Sequence, residues 1–134
     1  MNKVKFVLVV DDDQINNFVC SRMIKLSGIS DHVECVLGGQ EALDLIKKAA
    51  ANNTQLPDLI FLDINMPGMN GWEFLDQYRN LAPELKTGPR IFMLSSSLYK
   101  DDIDKSSQYK EVAEYVIKPL SIEVLREIER KYFG

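Results

Sequence analysis

The chain has 134 residues, of which 46% are hydrophobic and 27% are charged, a composition typical of one globular domain and not of a disordered or collagen-like chain. Acidic residues outnumber basic ones by 20 to 16 and no stripe of Lys and Arg occurs, so we do not expect a protein that binds duplex nucleic acid. The apolar run Phe6–Val10 is too short to cross a membrane or to form the core of a signal peptide, and we therefore expect a cytoplasmic protein.

Short apolar runs alternate five times with segments of helical periodicity, and no linker, repeat or low-complexity segment interrupts this alternation. The strands that these runs predict are, in chain order, Val4–Val10, Val33–Leu37, Leu59–Leu62, Ile91–Leu94 and Tyr115–Ile117. A helical segment follows each of them, so the predicted order is five successive strand–helix units, (βα)5. We expect residues 1–134 to form a single domain.

The helical segments differ in how clearly the sequence marks them. Asp13 can cap the first helix. The apolar residues that share one face of this helix at its spacing of about 3.6 residues per turn are Ile15, Phe18, Val19, Met23 and Leu26. A second stripe ends at Asn52–Asn53, Asn70 can cap the third helix, and a last stripe covers Ile122–Tyr132. A helix is also predicted within Leu98–Tyr109, where apolar residues are few and the buried face would be narrow.

The unbroken apolar character of the strands predicts how they are arranged. Such strands are buried on both faces, which is typical of a parallel sheet with helices above and below. Five units are too few for an eight-stranded barrel, so we expect an α/β fold with an open, doubly wound, five-stranded parallel sheet. Ligand sites in such sheets lie just past the carboxyl ends of the strands, and the residues at those ends are therefore the candidates for function.

Strongly polar residues occupy four of these strand ends, namely Asp11 with Asp12, Asp63, Ser95 with Ser96, and Lys118. Carboxylates about 5 Å apart repel one another by about 3 kcal/mol per pair at an effective dielectric constant of about 20, so three of them need compensating charge. Lys118 offsets a part, and an all-oxygen site calls for a hard divalent cation such as Mg²⁺. A carboxylate beside a metal, a hydroxyl and an ammonium can receive a phosphoryl group, and Asp63 is the central candidate.

Four motifs of the chain resemble those of a known family. They read VVDDD at 9–13, PDLIFLDINMPGMNG at 57–71, MLSS at 93–96 and YVIKP at 115–119. Together these motifs are highly specific, and over essentially its whole length the chain resembles a response regulator receiver domain of two-component signalling. The resemblance implies a CheY-like, flavodoxin-like fold with strand order 2-1-3-4-5.

The resemblance also implies a metal site and a phosphorylation site. Asp63 would be the phosphoacceptor. Asp12, Asp63 and the backbone carbonyl of Asn65 would ligate Mg²⁺, for which Mn²⁺ could substitute, and Asp11 would act through a metal-bound water.

Further residues would respond to the phosphoryl group. Ser95 and Lys118 would contact its oxygens, Ser96 would lie beside the pocket, and Tyr115 would turn inward on activation. The residues implied to shape the loop behind the phosphoacceptor or to form a cis peptide bond after Lys118 are Pro67, Gly71 and Pro119.

The same resemblance implies which proteins the chain interacts with. A sensor histidine kinase or a histidine phosphotransfer protein would exchange the phosphoryl group, and a downstream protein would bind the face made by the fourth helix, fifth strand and fifth helix. The last predicted helix reaches Gly134, so we expect a stand-alone receiver with no output domain and no direct contact with nucleic acid or membrane. Receivers catalyse only their own phosphorylation and dephosphorylation, so we do not expect an enzyme in the usual sense.

Two other functions on related α/β folds stay open at this point. A phosphohydrolase that forms an aspartyl phosphate normally has a second acid two residues after its nucleophile, where this chain has Asn65. Sustained turnover of a generic phosphate ester would distinguish it from a receiver. A flavin-nucleotide binder would need a Gly/Ser/Thr-rich phosphate loop after the first strand, where Asp11, Asp12 and Asp13 would repel a phosphate.

Overall fold

The computed structural model describes residues 4–81, 88–96 and 98–134. Five parallel strands form one sheet in the order β2-β1-β3-β4-β5. The strands are β1 Val7–Val10, β2 Val33–Val36, β3 Leu59–Leu62, β4 Arg90–Ser95 and β5 Val112–Ile117. The helices are α1 Gln14–Ser27, α2 Gly39–Ala51, α3 Gly71–Leu81, α4 Lys100–Ser107 and α5 Ile122–Ile128, the last continuing as a wider π-type turn over Glu129–Phe133. The predicted α/β class, the doubly wound CheY-like fold and the strand order are confirmed.

The centre of the sheet is fully covered by helices. Every residue of β1 and β3 is 0% exposed, which explains why both strands read as unbroken apolar runs. On one face Leu8 and its neighbours pack against α2 and α3, with Leu75 of α3 among the buried partners. On the other face Val9 packs with residues of α1 and α5, such as Ile24. The core therefore lies in two layers, one on each face of the sheet.

The apolar stripe predicted for α1 is not the face that the helix buries. The buried residues of α1 are Asn17, Cys20, Ile24 and Ser27. In contrast, Ile15 is 77% exposed, Phe18 66% and Leu26 57%. The start of the helix sets its rotation, because Asp13 caps the first free amides and the Nδ2 of Asn17 donates to the carbonyl of Asp11. Helical periodicity identifies an apolar face but does not tell whether the sheet or solvent lies against it.

Several element boundaries also differ from the predicted ones. The first strand was predicted from Val4, but β1 begins at Val7. Val4 and Phe6 are buried without belonging to the strand, because an apolar run indicates burial and not hydrogen-bonded pairing. β5 begins at Val112, three residues before the predicted start. It is an edge strand, so its exposed Glu114 interrupts the apolar pattern without ending the strand.

Two helices follow the sequence signals closely. At the start of α3, Asn70 Oδ1 accepts from the amide of Glu73 while a carboxylate oxygen of Glu73 accepts from the amide of Asn70, which is a reciprocal capping box. α4 is the short and weakly buried helix that its composition predicts, with Ser106 as its only buried residue. Within the described parts of the chain, no helix has both the length and the apolar character needed to cross a bilayer.

Candidate phosphoacceptor site

The order of the strands brings the predicted site residues together. Backbone hydrogen bonds extend the ladders past the strand ends: Asp63 N donates to Val10 O at 3.0 Å, and Lys118 N donates to Ser95 O at 2.9 Å. Asp11, at the end of β1, is fixed in the same way by a bond from its amide to the carbonyl of the neighbouring strand β2. Four adjacent parallel strands thus bring together, at one edge of the sheet, Ser95 as the last residue of β4 and the residues that directly follow β1, β3 and β5, which are Asp11, Asp63 and Lys118.

Three carboxylates form the centre of this edge. One oxygen from each of Asp11, Asp12 and Asp63 lies within 4.8 Å of the others. Asp11 is 2% exposed and Asp63 is 7% exposed, while Asp12 is open to solvent. Two of the three negative charges are therefore largely removed from water, which makes their mutual repulsion strong.

Lys118 supplies the positive charge of the site. Its Nζ donates to Asp11 Oδ2 at 2.8 Å and lies 3.7 Å from Asp63 Oδ1. Burial by itself lowers the pKa of this ammonium, but the hydrogen bond to Asp11 and the charges of Asp63 and Asp11 outweigh it, so the pKa of Lys118 is raised. The lysine stays protonated and is shared unequally between the two carboxylates.

The proton affinity of Asp63 reflects the same balance. Burial, and after it the charge of Asp11, raises its pKa from an ordinary 3.8 to about 6, against the opposing effect of Lys118. Asp63 is therefore largely ionised at neutral pH but is poorly solvated. A carboxylate in this condition is a better nucleophile than one surrounded by water.

The carboxylate oxygens of this cluster suit a hard divalent cation as metal ligands. With all groups ionised, the three carboxylates and the one ammonium leave two negative charges uncompensated. Every side-chain ligand atom in the cluster is a carboxylate oxygen, and Mg²⁺ and Mn²⁺ prefer such ligands. The residues present therefore fit the metal that the sequence predicts. Asn65, two residues after Asp63, has an exposed side chain, and the role predicted for its carbonyl stays a prediction.

The loop behind Asp63 is tightly packed at its end. Gly71 N donates to Ile64 O at 2.8 Å, and a Cβ added to Gly71 would lie 2.6 Å from the backbone oxygen of Asp63. Only glycine fits this approach. Gly68, at φ +78°, adopts a left-handed conformation, and Pro67 before it is exposed. The sequence prediction that Gly71 shapes this loop thus has a direct steric basis.

The remaining predicted residues differ in their exposure. Ser95 is buried, Ser96 is exposed and Tyr115 is half-buried against the apolar cluster on the α2–α3 face. The Lys118–Pro119 peptide bond is cis. The predicted contacts of these residues with a phosphoryl group stay predictions.

Sequence reasoning missed two amides of α1 that hold the site. Asn16 Nδ2 donates to Asp11 Oδ2 at 2.6 Å, and Asn17 Nδ2 donates to the backbone carbonyl of Asp11 at 2.9 Å. A signal for Asn16 was available, because it stands three residues after the N-cap Asp13, where a side chain points back toward the start of the helix. The buried Asn17 offers no such signal, since the direction of its side chain depends on how the helix packs.

Comparison with known proteins identifies the family. Residues 7–130 match the family model of the response regulator receiver domain. The chain belongs to the response regulator receiver family. Phosphoryl acceptance is the general function of receiver domains in two-component signalling, and histidine kinases or phosphotransfer proteins are their partners.

One curated relative is hybrid signal transduction histidine kinase L of Dictyostelium discoideum, which is 31% identical to this receiver domain over 128 residues. The matched stretch covers 94% of this chain but 7% of the kinase. The similarity therefore concerns one small part of that kinase.

Solved structures agree with this assignment. A two-component response regulator from Cytophaga hutchinsonii has a TM-score of 0.89 and 33% identity, and the match covers 97% of each chain. The receiver domain of the histidine kinase CKI1 from Arabidopsis thaliana, solved in complex with Mg²⁺ and BeF₃⁻, has a TM-score of 0.79 and 27% identity, covering 97% of this chain and 92% of that one.

Proposed function

We propose that this receiver domain accepts a phosphoryl group on Asp63 in a Mg²⁺-dependent reaction and thereby changes a protein-binding face. The observation that carries the proposal is the position of Lys118, whose ammonium lies 2.8 Å from Asp11 and 3.7 Å from Asp63. An ammonium held between two buried carboxylates is placed to balance charge that arrives on either of them.

The chain's own groups account for the transfer step. A carboxylate oxygen of Asp63 attacks the phosphorus of a phosphohistidine, the P–N bond breaks with its electron pair moving to the imidazole nitrogen, and that nitrogen takes up a proton from water. An acyl phosphate then stands on Asp63. Lys118 is close enough to Asp63 Oδ1 to follow the new negative oxygens. Mg²⁺, when bound, would neutralise charge on the transferred oxygens and orient them for in-line attack.

The residues that would hold the metal are the three carboxylates and one backbone group. Asp12 and Asp63 are proposed as direct ligands together with the carbonyl of Asn65, and Asp11 as the more distant member. The spread of the three carboxylate oxygens, within 4.8 Å of one another, supports this set. A receiver at 27% identity was solved in complex with Mg²⁺ and BeF₃⁻, which supports a metal and a phosphoryl-like group as ligands of this fold. Mn²⁺ has the same ligand preference and is expected to substitute.

The exposed face of α1 is suited to the phosphodonor. Ile15 and Phe18 are 77% and 66% exposed, and they lie in the same turn of α1 as Asn16, which contacts Asp11. An apolar helix face beside the nucleophile can pack against a helical bundle that carries the donor histidine. This donor would be a sensor histidine kinase or a histidine phosphotransfer protein.

A second apolar surface supports the output face predicted between α4 and β5. Leu98 is 74% exposed, Tyr99 78%, Ile103 38% and Ile117 39%. These residues lie near Ser95 and Tyr115 in the sequence, which we propose to be the pair that responds to the phosphoryl group, with Ser96 beside them. Phosphorylation would then favour the arrangement that a downstream protein recognises. The domain would act in the cytoplasm as a switch and not as an enzyme in the usual sense.

The test is phosphorylation by a small donor. The domain is incubated with acetyl phosphate and Mg²⁺ and its intact mass is measured, with an excess of EDTA as the control for the metal. We expect the mass gain of one phosphoryl group, lost in Asp63→Asn and in EDTA. Asp58→Asn is the matched control, because Asp58 lies at the opposite end of the same strand and contacts the amides of Lys5 and Phe6.

Two outcomes would contradict the proposal. A mass gain that persists in Asp63→Asn would move the phosphoacceptor elsewhere. Many turnovers of a phosphate ester without a labile phosphoprotein would instead favour the phosphohydrolase, although the exposed side chain at position 65 is an amide and not an acid.

A further inference from the structure

One oxygen of Asp11 receives two unlike hydrogen-bond donors. Asp11 Oδ2 accepts from Asn16 Nδ2 at 2.6 Å and from Lys118 Nζ at 2.8 Å, while Asp11 Oδ1 accepts from the amide of Asp13 at 2.9 Å. Of the two donors on Oδ2, the amide is neutral and the ammonium is the group that also approaches Asp63. Asp11 itself is 2% exposed, so few water molecules can replace a lost donor.

We propose that Asn16 is a positioning residue for phosphoryl transfer, which keeps Asp11 Oδ2 hydrogen-bonded when Lys118 leaves it for the phosphoryl group on Asp63. The inference rests on the proposed function and adds to it a residue that acts only through Asp11. With Asn16 present, Asp11 Oδ2 keeps a hydrogen-bond donor when Lys118 moves. Without Asn16, the same movement removes the hydrogen-bond donor from Asp11 Oδ2, and Lys118 is therefore retained on Asp11.

The chemistry of an asparagine suits this role. Its amide donates a hydrogen bond without adding a positive charge that would compete with a metal ion in the cluster. A carboxylate at the same position would add a fourth negative charge to the three already present. An apolar side chain would leave Lys118 as the one donor to Oδ2 among the residues that the structure describes.

The local structure holds Asn16 in place. Its own backbone amide donates to Asp13 Oδ1 at 3.3 Å, so the N-cap that starts α1 also fixes the residue that reaches back to Asp11. The side chain is half-buried. It is therefore a preorganised donor and does not depend on a partner to order it.

A double-mutant cycle tests the inference. The phosphorylation rates of the unmodified domain, Asn16→Ala, Lys118→Ala and the double variant are measured with acetyl phosphate at saturating Mg²⁺ by intact mass. We expect Asn16→Ala to slow the reaction about tenfold in the unmodified background. In the Lys118→Ala background the same change is expected to have an effect below about threefold, because Lys118 is no longer there to be released.

Controls separate this role from a structural one. Gln14→Ala removes an exposed amide from the same turn of α1 and is expected to leave the rate unchanged. Calorimetric titration with Mg²⁺ in the absence of a phosphodonor is expected to give a Kd for Asn16→Ala within about threefold of the unmodified value, since a positioning role acts after the metal binds. If thermal unfolding shows that Asn16→Ala is not folded, Asn16→Ser, whose side chain is too short to span the contact, takes its place.

Each outcome decides between distinct conclusions. The role of Asn16 is overturned if Asn16→Ala is phosphorylated as fast as the unmodified domain, or if Asn16→Ala slows phosphorylation equally with and without Lys118. Either result leaves Asp63 as the phosphoacceptor. A loss of rate explained entirely by weaker Mg²⁺ binding overturns the role of Asn16 as well. Failure of the unmodified domain to gain a phosphoryl group overturns the proposed function, and the inference with it.

Discussion

Asp63→Asn is expected to stabilise the metal-free domain at neutral pH. Asp63 is 7% exposed, and its charge is opposed by burial and by Asp11 more strongly than it is favoured by Lys118. Asparagine has nearly the same shape and carries no charge. The substitution therefore removes an unfavourable charge without leaving a cavity.

The pKa of Asp63 gives the size of the effect. A pKa raised from 3.8 to about 6 means that the folded state binds the proton more tightly than the unfolded chain does. At about 1.4 kcal/mol per tenfold change in proton affinity, the ionised carboxylate lowers the free energy of unfolding by about 3 kcal/mol. For a domain of this size, that corresponds to roughly 10 °C in Tm.

The direction of the pKa shift determines the pH range in which the charge of Asp63 affects stability. Below 3.8 Asp63 is protonated in both the folded and the unfolded state, and its raised pKa has no effect on stability. Between 3.8 and about 6 the folded state holds the extra proton, so stability falls as pH rises through this range. Above about 6 the whole loss is present. The gain in Asp63→Asn should therefore be full at pH 7.5 and small near pH 4.

Urea unfolding in EDTA at several pH values measures this difference. Asp104→Asn, on the exposed surface of α4, controls for the loss of one negative charge. Saturating Mg²⁺ should shrink the gain, since the metal compensates the charge of Asp63 and binds only the folded site. Equal stabilities at pH 7.5, or a gain that is larger at pH 4 than at pH 7.5, would refute the reasoning.

Three further changes address the fold around the site. Gly71→Ala should cost about 2 kcal/mol and slow phosphorylation, because the new Cβ would lie 2.6 Å from the carbonyl oxygen of Asp63; an unchanged urea midpoint would contradict this. Tyr109→Phe removes a 3.0 Å hydrogen bond to Asp76 but keeps the ring, and should lower the free energy of unfolding by about 1 kcal/mol. An unchanged free energy of unfolding in the same urea assay would contradict this prediction. Asp13→Ala removes the side-chain cap of α1 and should cost about 1 kcal/mol, measured by thermal unfolding, where an unaltered Tm would argue against the cap.

The sheet and the position of the site were predictable because both depend on short-range patterns. β3 was predicted with its observed limits, and the three carboxylates meet because their strands are adjacent and parallel. A residue that directly follows a buried parallel strand can only lie at the carboxyl edge of the sheet. The predictions of Asp11, Asp63 and Lys118 as neighbours needed no knowledge of side-chain contacts.

The orientation of α1 was not predictable in the same way. Its apolar stripe, with Phe18 at its centre, is exposed, while Asn17 and Ser27 are buried. The hydrophobic pattern would place the stripe against the core. The observed rotation instead follows the cap at Asp13 and the hydrogen bond from Asn17 to Asp11, which are contacts between elements.

The order of elements, the parallel sheet and the set of polar strand ends can all be read from the amino-acid sequence, since periodicity and strand position are local properties of the chain. Which donor contacts which carboxylate became known from the three-dimensional packing. That Lys118 lies closer to Asp11 than to Asp63, and that Asn16 shares the same oxygen, depend on how α1 packs on β1 and how β5 pairs with β4. Hydrogen bonds are sensitive to displacements of a few tenths of an ångström, and no pattern along the chain fixes distances between distant segments to that degree.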